Sequence, residues 1–311
     1  MQTPETPASK LNEINFIENL TKVRGAPPSE VEAYLLAKPF DDARRGYYVI
    51  DLGQIMKLLP DPPARLLDLG IGSGWTSKYL ALSGYHVVGL DIAESMIKLA
   101  KINCAGLKNI DLHVCDYESD IDFGPFDCAL IYDALHHATD EARLLKNVYG
   151  SLKEGGKLVT AEPGRGHAAY KDTQEVVHDF GVTEKDMEFS LQKRLMQEAG
   201  FSEVRQYYRL SELVLEDVSS EHGRATQIDQ FANLDAITRE AGFTSIVVAI
   251  KKNSQPSHPS VSPQKKKWLE WLCNSVTRRG KKKKYKTNRI QIPCSRAALQ
   301  FHSAVFSKCV W

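Results

Sequence analysis

Two acidic residues and three glycines in the first third of the chain have the types and spacing of a nucleotide-binding loop. Asp68, Gly70, Gly72 and Gly74 occupy alternate positions at the end of an apolar run, and Asp91 ends a second apolar run. Glycines let the backbone approach a ligand closely because they carry no Cβ. A carboxylate at the end of the second run can accept hydrogen bonds from both hydroxyls of a ribose. The pattern therefore predicts a strand–loop–helix–strand unit that binds a nucleotide-like ligand.

The residue after the third glycine distinguishes between two kinds of nucleotide. The dinucleotide fingerprint Gly-x-Gly-x-x-Gly would need its last glycine at position 75. Trp75 stands there instead, and a tryptophan in that turn hinders the close approach of a pyrophosphate to the start of the helix. We therefore disfavour NAD as the ligand.

The acid and the glycines, Asp68-x-Gly70-x-Gly72-x-Gly74, resemble motif I of the class I S-adenosylmethionine-dependent methyltransferases. The resemblance covers roughly residues 40 to 252 and is nearest to the small-molecule branch of that family, which includes quinone-biosynthesis enzymes. It implies S-adenosyl-L-methionine as the cofactor, a ligand without phosphate, and it implies that Asp68 faces the methionine portion of that ligand.

The elements that must position these residues alternate between strand and helix. Further apolar runs predict strands at 110–114, 126–132, 157–161 and 245–251. Such alternation predicts an α/β fold with a mostly parallel sheet and helices on both faces. The resemblance implies the Rossmann-like version of this fold, with seven strands and the last one antiparallel.

Helical periodicity lies between the strands. Leu144, Leu145 and Val148 share one helix face, after a cap at Thr139 or Asp140, and the Gly-Gly pair before the next strand is expected to end this segment.

An N-terminal helix is also predicted, because Tyr47 and Tyr48 precede an apolar helix pattern at Ile50, Ile55 and Leu58. In related enzymes an N-terminal helix closes over the cofactor, so the resemblance implies that one of the two tyrosines reaches the site.

Residues that follow the strands are further candidates for the cofactor site. Asp116 and Tyr117 follow the third strand, where the family places an acid that holds the adenine amino group and a neighbour that shields the ring. Ile92 and Met96 follow the second strand at helical spacing and either cover the other adenine face or belong to the core. Asp133 follows the fourth strand, near the expected position of the sulfonium.

Histidines are the candidates for acid–base chemistry. Methyl transfer to a hydroxyl requires removal of its proton, and an imidazole with a pKa near neutrality suits that role. His136 and His137 follow the fourth strand, and His167 follows the fifth strand together with Arg165. The segment up to about Met187 lies outside the basic fold and is expected to meet an anionic or hydroxylated substrate. We name His137 and His167 as catalytic candidates; the alternative is a structural role for each.

The absence of two sequence motifs narrows the range of expected methyl acceptors. The Asn/Asp-Pro-Pro-Tyr/Phe signature of amino-group DNA methyltransferases does not follow the fourth strand, and neither does the Pro-Cys pair of cytosine C5 enzymes. The resemblance thus favours methylation of a hydroxyl, or of a carbon, in a small molecule or in a glycan or lipid intermediate. Two alternatives stay open: an RNA methyltransferase, and a non-catalytic module that binds S-adenosylmethionine.

Charge divides the chain into three predicted parts. Residues 265–311 hold 13 of the 40 Lys and Arg residues but one of the 39 acids, Glu270. Residues 254–264 are rich in Pro and Ser and are predicted to form a linker that follows a domain at residues 1–253. Trp268 and Trp271 beside lysines are compatible with contact between the tail and an anionic membrane surface, and nucleic acid is the less favoured partner. The alternative is a flexible basic extension without a specific partner.

Other features of the composition exclude several classes of protein. No apolar run approaches about 18 residues, so no membrane-spanning helix is predicted. The N-terminus lacks the pattern of a signal peptide, which predicts a cytoplasmic protein that the tail can hold at the membrane surface. The six cysteines form no Cys-x-x-Cys pair, and we expect no metal site.

Overall fold

The computed structural model describes residues 7–241 and 245–252. The predicted linker and the basic tail at 265–311 lie outside the described residues. The predicted domain boundary at residue 253 therefore stays a prediction, and so does the role of the tail.

A twisted sheet forms the centre of the described residues. Its strands are β1 (Arg65–Leu69), β2 (His86–Asp91), β3 (Ile110–Val114), β4 (Phe126–Tyr132), β5 (Leu152–Glu162), β6 (Glu203–Tyr208) and β7 (Ser245–Ile250). They form a seven-stranded sheet in the order β3-β2-β1-β4-β5-β7-β6. The pairs among β1 to β5 are parallel, and β7 is antiparallel to both β5 and β6. The predicted seven-stranded, mostly parallel sheet with an antiparallel last strand is confirmed.

Helices occupy the connections between the strands and the segment before β1. They are α1 (Ala8–Ile14), α2 (Phe16–Arg24), α3 (Pro28–Leu36), α4 (Arg45–Leu58), α5 (Trp75–Leu82), α6 (Glu94–Asn103), α7 (Glu141–Ser151), α8 (Lys171–Phe180), α9 (Phe189–Ala199) and α10 (Glu221–Ala241). Within the described ranges, none of these helices has the length and apolar character needed to cross a bilayer.

Alternate residues of the central strands enter two separate cores. Leu66 of β1 and Leu130 of β4 pack with α4 and α5. Leu67 and Ile131, the next residues of the same strands, pack with α7 and α9. Because side chains alternate between the two faces of a strand, the helices cover both faces of the sheet, as predicted.

The N-terminal helices pack against α6 rather than against the sheet. Ile17 of α2 and Val31 and Leu35 of α3 form an apolar cluster with Met96 and Leu99 of α6. Since α6 follows β2, this cluster brings α1 to α3 to the edge of the sheet where β2 ends. The N-terminal segment thus becomes a wall of the cleft described below.

One expected segment boundary is wrong, and one apolar position is more exposed than its helix pattern suggests. The helix α7 ends at Ser151, and β5 begins at Leu152, so the Gly-Gly pair lies inside the strand. Gly155 has φ 71°, and the register with β4 shifts there, which marks a bulge that a glycine accommodates. In α4, Ile55 is buried as expected, but Ile50 is 43% exposed.

The start of α7 has a side-chain cap. Asp140 accepts a hydrogen bond from the backbone N–H of Arg143 at 2.9 Å, and Thr139 instead donates its backbone N–H and its hydroxyl to Glu118. Of the two predicted caps, Asp140 is therefore the one that the structure uses.

Asp140→Ala should lower the free energy of unfolding by about 1 kcal/mol, because one backbone N–H of the first turn loses its acceptor. Urea denaturation measures this difference. Asp140→Ser keeps an acceptor and should lose much less; equal stability of the alanine variant and the wild type would show that the cap does not contribute.

Candidate active site

A cleft opens where β1, β2 and β4 end, which is the edge at which parallel α/β sheets bind ligands. A first cavity of about 250 Å³ lies in this cleft. The predicted site residues that line it are Gly70, Gly72, Asp91, Ile92, Met96, Tyr117, Asp133 and His137. The other four, Asp68, Gly74, Asp116 and His167, do not line this cavity.

The loop between β1 and α5 is tied to the end of β2. Asp91 accepts hydrogen bonds from the backbone N–H groups of Gly72 at 2.8 Å and of Ala93 at 2.9 Å, one on each oxygen. Gly70 has φ 70°, and a Cβ at this position would lie 2.4 Å from the Cβ of Ala134. Each carboxylate oxygen of Asp91 keeps a second lone pair for a ligand hydroxyl.

Burial sets the ionisation of Asp91. The side chain lies between the loop and the start of α6, and desolvation raises its pKa to about 6 although both backbone hydrogen bonds lower it. The carboxyl group is therefore ionised at neutral pH and becomes protonated under mildly acidic conditions.

Asp68 lies behind the loop instead of in the cavity. Its side chain is buried and accepts hydrogen bonds from the hydroxyls of Thr76 at 2.8 Å and Ser77 at 2.6 Å. It thereby joins the end of β1 to the first turn of α5. Gly74 also supports packing, because a Cβ there would lie 2.8 Å from the Cβ of Ala100 in α6.

Of the two expected residues after β3, one lines the cavity and the other pairs with the N-terminal segment. Tyr117 lines the cavity and donates its hydroxyl to the carbonyl of Ala134 at 3.2 Å. Asp116 pairs with Lys10 of α1 at 2.7 Å, and Lys10 also contacts Glu118 at 2.9 Å. The Asp116 carboxylate is thus used to attach α1 to the rim of the cleft.

A second cavity, of about 740 Å³, adjoins the first. The two share Lys38, Asp133 and His137 as lining residues. Asp133 has φ 48°, in the left-handed region that residues other than glycine rarely adopt. This turn places Asp133 and His137 between the two cavities.

Three further residues that the sequence indicated line the second cavity. Arg165, His167 and Tyr48 line it, whereas Tyr47 is 44% exposed. Arg165 pairs with Glu188 at 2.6 Å. Of the two tyrosines, Tyr48 is therefore the one that reaches the site.

A cluster of histidines and carboxylates forms one wall of the second cavity. His136 is buried and donates Nδ1 to Glu162 at 2.7 Å, and its Nε2 lies 3.3 Å from Glu184. His167 donates Nε2 to the same oxygen of Glu184 at 2.7 Å. His137 donates Nδ1 to the carbonyl of Thr183 at 2.7 Å.

The charges of this cluster stabilise one another. Burial lowers the pKa of His136, but the hydrogen bonds to Glu162 and Glu184 outweigh it and raise the pKa to about 10. Burial likewise raises the pKa of Glu184, yet the hydrogen bonds from His136 and His167 hold that pKa below its ordinary value. His136 is therefore an imidazolium at neutral pH.

A buried ion pair contributes one residue to the lining of the second cavity. Arg209, after β6, donates Nε and Nη2 to Asp51 of α4 at 2.9 and 2.7 Å. The hydroxyl of Tyr132 donates to the same carboxylate at 2.9 Å. Arg209 lines the cavity and lies 3.7 Å from Asp133. The pair joins α4 to the end of the sheet.

Sequence reasoning did not find several residues of this site. Glu13, Phe16 and Lys38 come from the N-terminal segment, and no local motif marks them. Glu184 lies in the segment after β5, where a site was expected but no particular acid could be chosen. The position of Glu162 at the end of a strand was a signal, because ligand-site groups concentrate there.

Comparison with known proteins identifies the central segment. Residues 67–160 match the methyltransferase domain family, and the Haemonchus contortus phosphoethanolamine N-methyltransferase 2, solved in complex with S-adenosyl-L-methionine, has the same fold. Residues 67–160 are therefore similar to a methyltransferase domain, and the described residues have the fold of a solved methyltransferase. The two structures superpose with a TM-score of 0.54 at 19% identity, over 76% of this chain and 60% of that one.

Two curated relatives of this chain share one name. The ubiquinone biosynthesis O-methyltransferase of Xylella fastidiosa (strain 9a5c) is 32% identical over 126 residues, which are 39% of this chain and 50% of that protein. The protein of that name from Coxiella burnetii (strain Dugway 5J108-111) is 34% identical over 108 residues, 34% of this chain and 46% of the relative. The chain thus spans about half the length of the curated relatives it matches.

Asp51→Ala should destabilise the domain by about 3–5 kcal/mol, because the buried guanidinium of Arg209 would lose its hydrogen-bonded counter-charge and keep only Asp133 at 3.7 Å. Thermal and urea unfolding measure the change. The double variant Asp51→Leu/Arg209→Met should recover part of it.

Lys153→Ala is the matched control, since Lys153 and Asp127 form a pair whose side chains are 44% and 36% exposed. Removing such an exposed pair should cost less than about 1 kcal/mol. Equal losses in the two variants would contradict the role given to the buried pair.

Proposed function

We propose that this domain transfers the methyl group of S-adenosyl-L-methionine to a hydroxyl oxygen, or less readily to a carbon, of a small-molecule acceptor. The observation that carries the proposal is the meeting of two cavities at Asp133 and His137. The first has a glycine loop and a buried acid, and the second has basic and imidazole groups. Methyl transfer needs this arrangement, because cofactor and acceptor must be held in line.

The residues of the first cavity fit the parts of the cofactor. Asp91 offers one lone pair on each oxygen to the two ribose hydroxyls. Ile92, Met96 and Tyr117 all line the cavity and supply apolar surface for adenine. Bound there, the cofactor supplies an electrophilic methyl carbon on a sulfonium, and the carboxyl group of Asp133 at the boundary of the cavities would face that positive charge.

Asp116 fits its expected role less well than the others. Its carboxylate already pairs with Lys10 and accepts the backbone N–H of Glu118 at 2.9 Å. Contact with the adenine amino group would therefore have to share these partners. We assign Asp116 to the attachment of the N-terminal segment and keep Tyr117 as the adenine-side residue.

His137 is the residue that we propose as the proton acceptor. Its Nδ1 faces the carbonyl of Thr183, which can only accept, so Nδ1 carries the proton and Nε2 holds the free lone pair in the neutral ring. Nδ1 also lies 3.3 Å from Glu13, which can stabilise the imidazolium that forms after proton transfer. His136 is a poorer base, because it is already charged and both ring nitrogens face carboxylates.

The names of the relatives support an oxygen acceptor. The two relatives named above are called ubiquinone biosynthesis O-methyltransferases, and the histidines beside the second cavity suit deprotonation of a hydroxyl. The RNA and membrane-surface alternatives both rest on residues 265–311, which lie outside the described residues, and they stay predictions, as does the cytoplasmic location.

Incubation with methyl-labelled cofactor and a fractionated cell extract tests the proposed function. A small-molecule fraction should take up label, and alkaline stability of the labelled product would distinguish an ether from a methyl ester. Tight binding of S-adenosylmethionine without transfer to any fraction would instead favour the non-catalytic module.

Asp91→Ala should weaken the binding of S-adenosylmethionine by about 1.5–3 kcal/mol, because the ribose loses charge-assisted hydrogen bonds. Titration calorimetry measures this. Asp111→Ala, at an exposed position of the neighbouring β3, is the matched control and should bind normally.

The wild-type affinity should also fall as the pH is lowered through about 6, since the raised pKa of Asp91 makes its carboxylate neutral there. Asp91→Asn should remove this limb of the profile. An Asp91→Ala variant with unchanged affinity would contradict the placement of the cofactor.

His137→Ala should lower turnover by about 10²–10⁴-fold with nearly unchanged cofactor affinity, since a positioned general base contributes this much. His167→Ala is the comparison, because His167 lines the second cavity but not the first. If His167→Ala alone is inactive, the base lies in the segment after β5 instead.

A further inference from the structure

Three side chains in the wall of the second cavity bring ligand atoms close together. One ring nitrogen each of His136 and His137 and one carboxylate oxygen of Glu184 all lie within 4.8 Å of one another. His136 Nε2 and Glu184 Oε2 are 3.3 Å apart. Ligand atoms about 2.0–2.1 Å from a tetrahedral ion stand about 3.3–3.4 Å apart, so this pair already has the spacing of two ligands of one ion.

Each of the three side chains is also held by a further partner. These contacts, each of 2.7 Å, are His136 Nδ1 to Glu162, His137 Nδ1 to the Thr183 carbonyl and His167 Nε2 to Glu184. Such outer partners orient metal-binding imidazole rings and decide which ring nitrogen is free to bind the ion. In many metal sites the outer partner is a carboxylate that accepts the N–H of the other ring nitrogen. The cluster thus has the two layers of contacts that metal centres have.

The charge around the cluster also suits a cation. Glu13 Oε1 is buried and, within the described part of the chain, has no hydrogen-bond partner. It lies 3.3 Å from His137 Nδ1, and Glu184 lies 3.9 Å from the same nitrogen. Glu162 pairs with His136 at 2.7 Å. A bound cation would offset part of this concentration of negative charge.

We propose that His136, His137 and Glu184 bind a divalent transition-metal ion, with Zn²⁺ as the best match. Two imidazoles and one carboxylate are a donor set typical of Zn²⁺, whereas Mg²⁺ and Ca²⁺ prefer oxygen ligands throughout. Three protein ligands leave a fourth position, and His136, His137 and Glu184 all line the second cavity. This proposal replaces the expectation from the cysteine pattern that the chain has no metal site.

The site goes beyond the proposed function, because the ion can bind whether or not the domain transfers methyl groups. In the metal-loaded protein the ion would polarise an acceptor hydroxyl bound at the fourth position. The ion would displace the Nε2 proton of His136, and the free lone pair of His137 would hold the ion instead of a proton.

Calorimetric titration of the full chain with Zn²⁺ after chelation tests the site. We expect one ion per chain and no comparable binding of Mg²⁺. His136→Gln and Glu184→Gln should weaken Zn²⁺ binding by more than about 100-fold, and His167→Ala, which removes only an outer partner, by about 10–100-fold. His178→Ala, at a side chain that is 87% exposed on α8, is the matched control and should bind normally.

Absorption spectra of the Co²⁺-loaded protein identify the ligands independently. Intense visible bands of four-coordinate Co²⁺, lost in Glu184→Gln, would support the site. Near-ultraviolet cobalt–thiolate bands would place the ion on cysteines and overturn it, as would Zn²⁺ binding that is unchanged in both ligand variants.

Binding of S-adenosylmethionine by each variant separates this proposal from folding and from the proposed function. Variants that bind the cofactor normally but not Zn²⁺ are folded and support the site. A wild-type protein that binds Zn²⁺ through these ligands but does not bind S-adenosylmethionine would overturn the proposed function and leave the metal site standing.

Discussion

The rest of the site depends on the hydrogen bonds that the carboxylate of Glu162 accepts. It is fully buried at the end of β5, and it accepts the backbone N–H groups of Ala134, Leu135 and His136 at 3.1, 3.0 and 3.3 Å. With the ring of His136 as a fourth donor, all the acceptor positions of a carboxylate are in use. One side chain of β5 therefore determines the path of the chain after β4, where the two cavities meet.

The positive φ of Asp133 follows from this arrangement. The left-handed backbone conformation is unfavourable for an isolated aspartate, and it persists where the surrounding structure compensates for its cost. Here the compensation is the set of hydrogen bonds that Glu162 makes to the next three residues. His136 is fixed by the same carboxylate, whereas its neighbour His137 turns to the boundary of the cavities. Two adjacent histidines thus differ in what they can do, because only one of them is held by Glu162.

The walls of the cleft are attached to the sheet by buried or half-buried ion pairs. Lys10 joins α1 to the residues after β3, and Asp51 with Arg209 joins α4 to the segment after β6. Glu184 joins the segment after β5 to the histidine pair. Buried charges are costly unless they are paired, so each ion pair favours the position that its wall has in the structure. The shape of the two cavities therefore depends on these pairs.

The amino-acid sequence by itself determined the strand–loop–helix–strand unit, the α/β class and the position of Asp91. The bounds of β3 and β4 agree with the predicted strands residue for residue. These features depend on the backbone and on neighbouring side chains: apolar runs predict buried strands, and glycines permit the positive φ of the loop. Such information lies within about ten to twenty consecutive residues, so a sequence pattern contains it.

Only the tertiary structure decided the partners of the charged groups. Asp68 and Asp116 have the expected positions in the chain, yet one binds the hydroxyls of α5 and the other binds Lys10, 106 residues away. Arg209 and Asp51 are separated by 158 residues. No local pattern marks such pairs, because the free energy of a buried charge depends on which distant group folding brings within hydrogen-bonding distance.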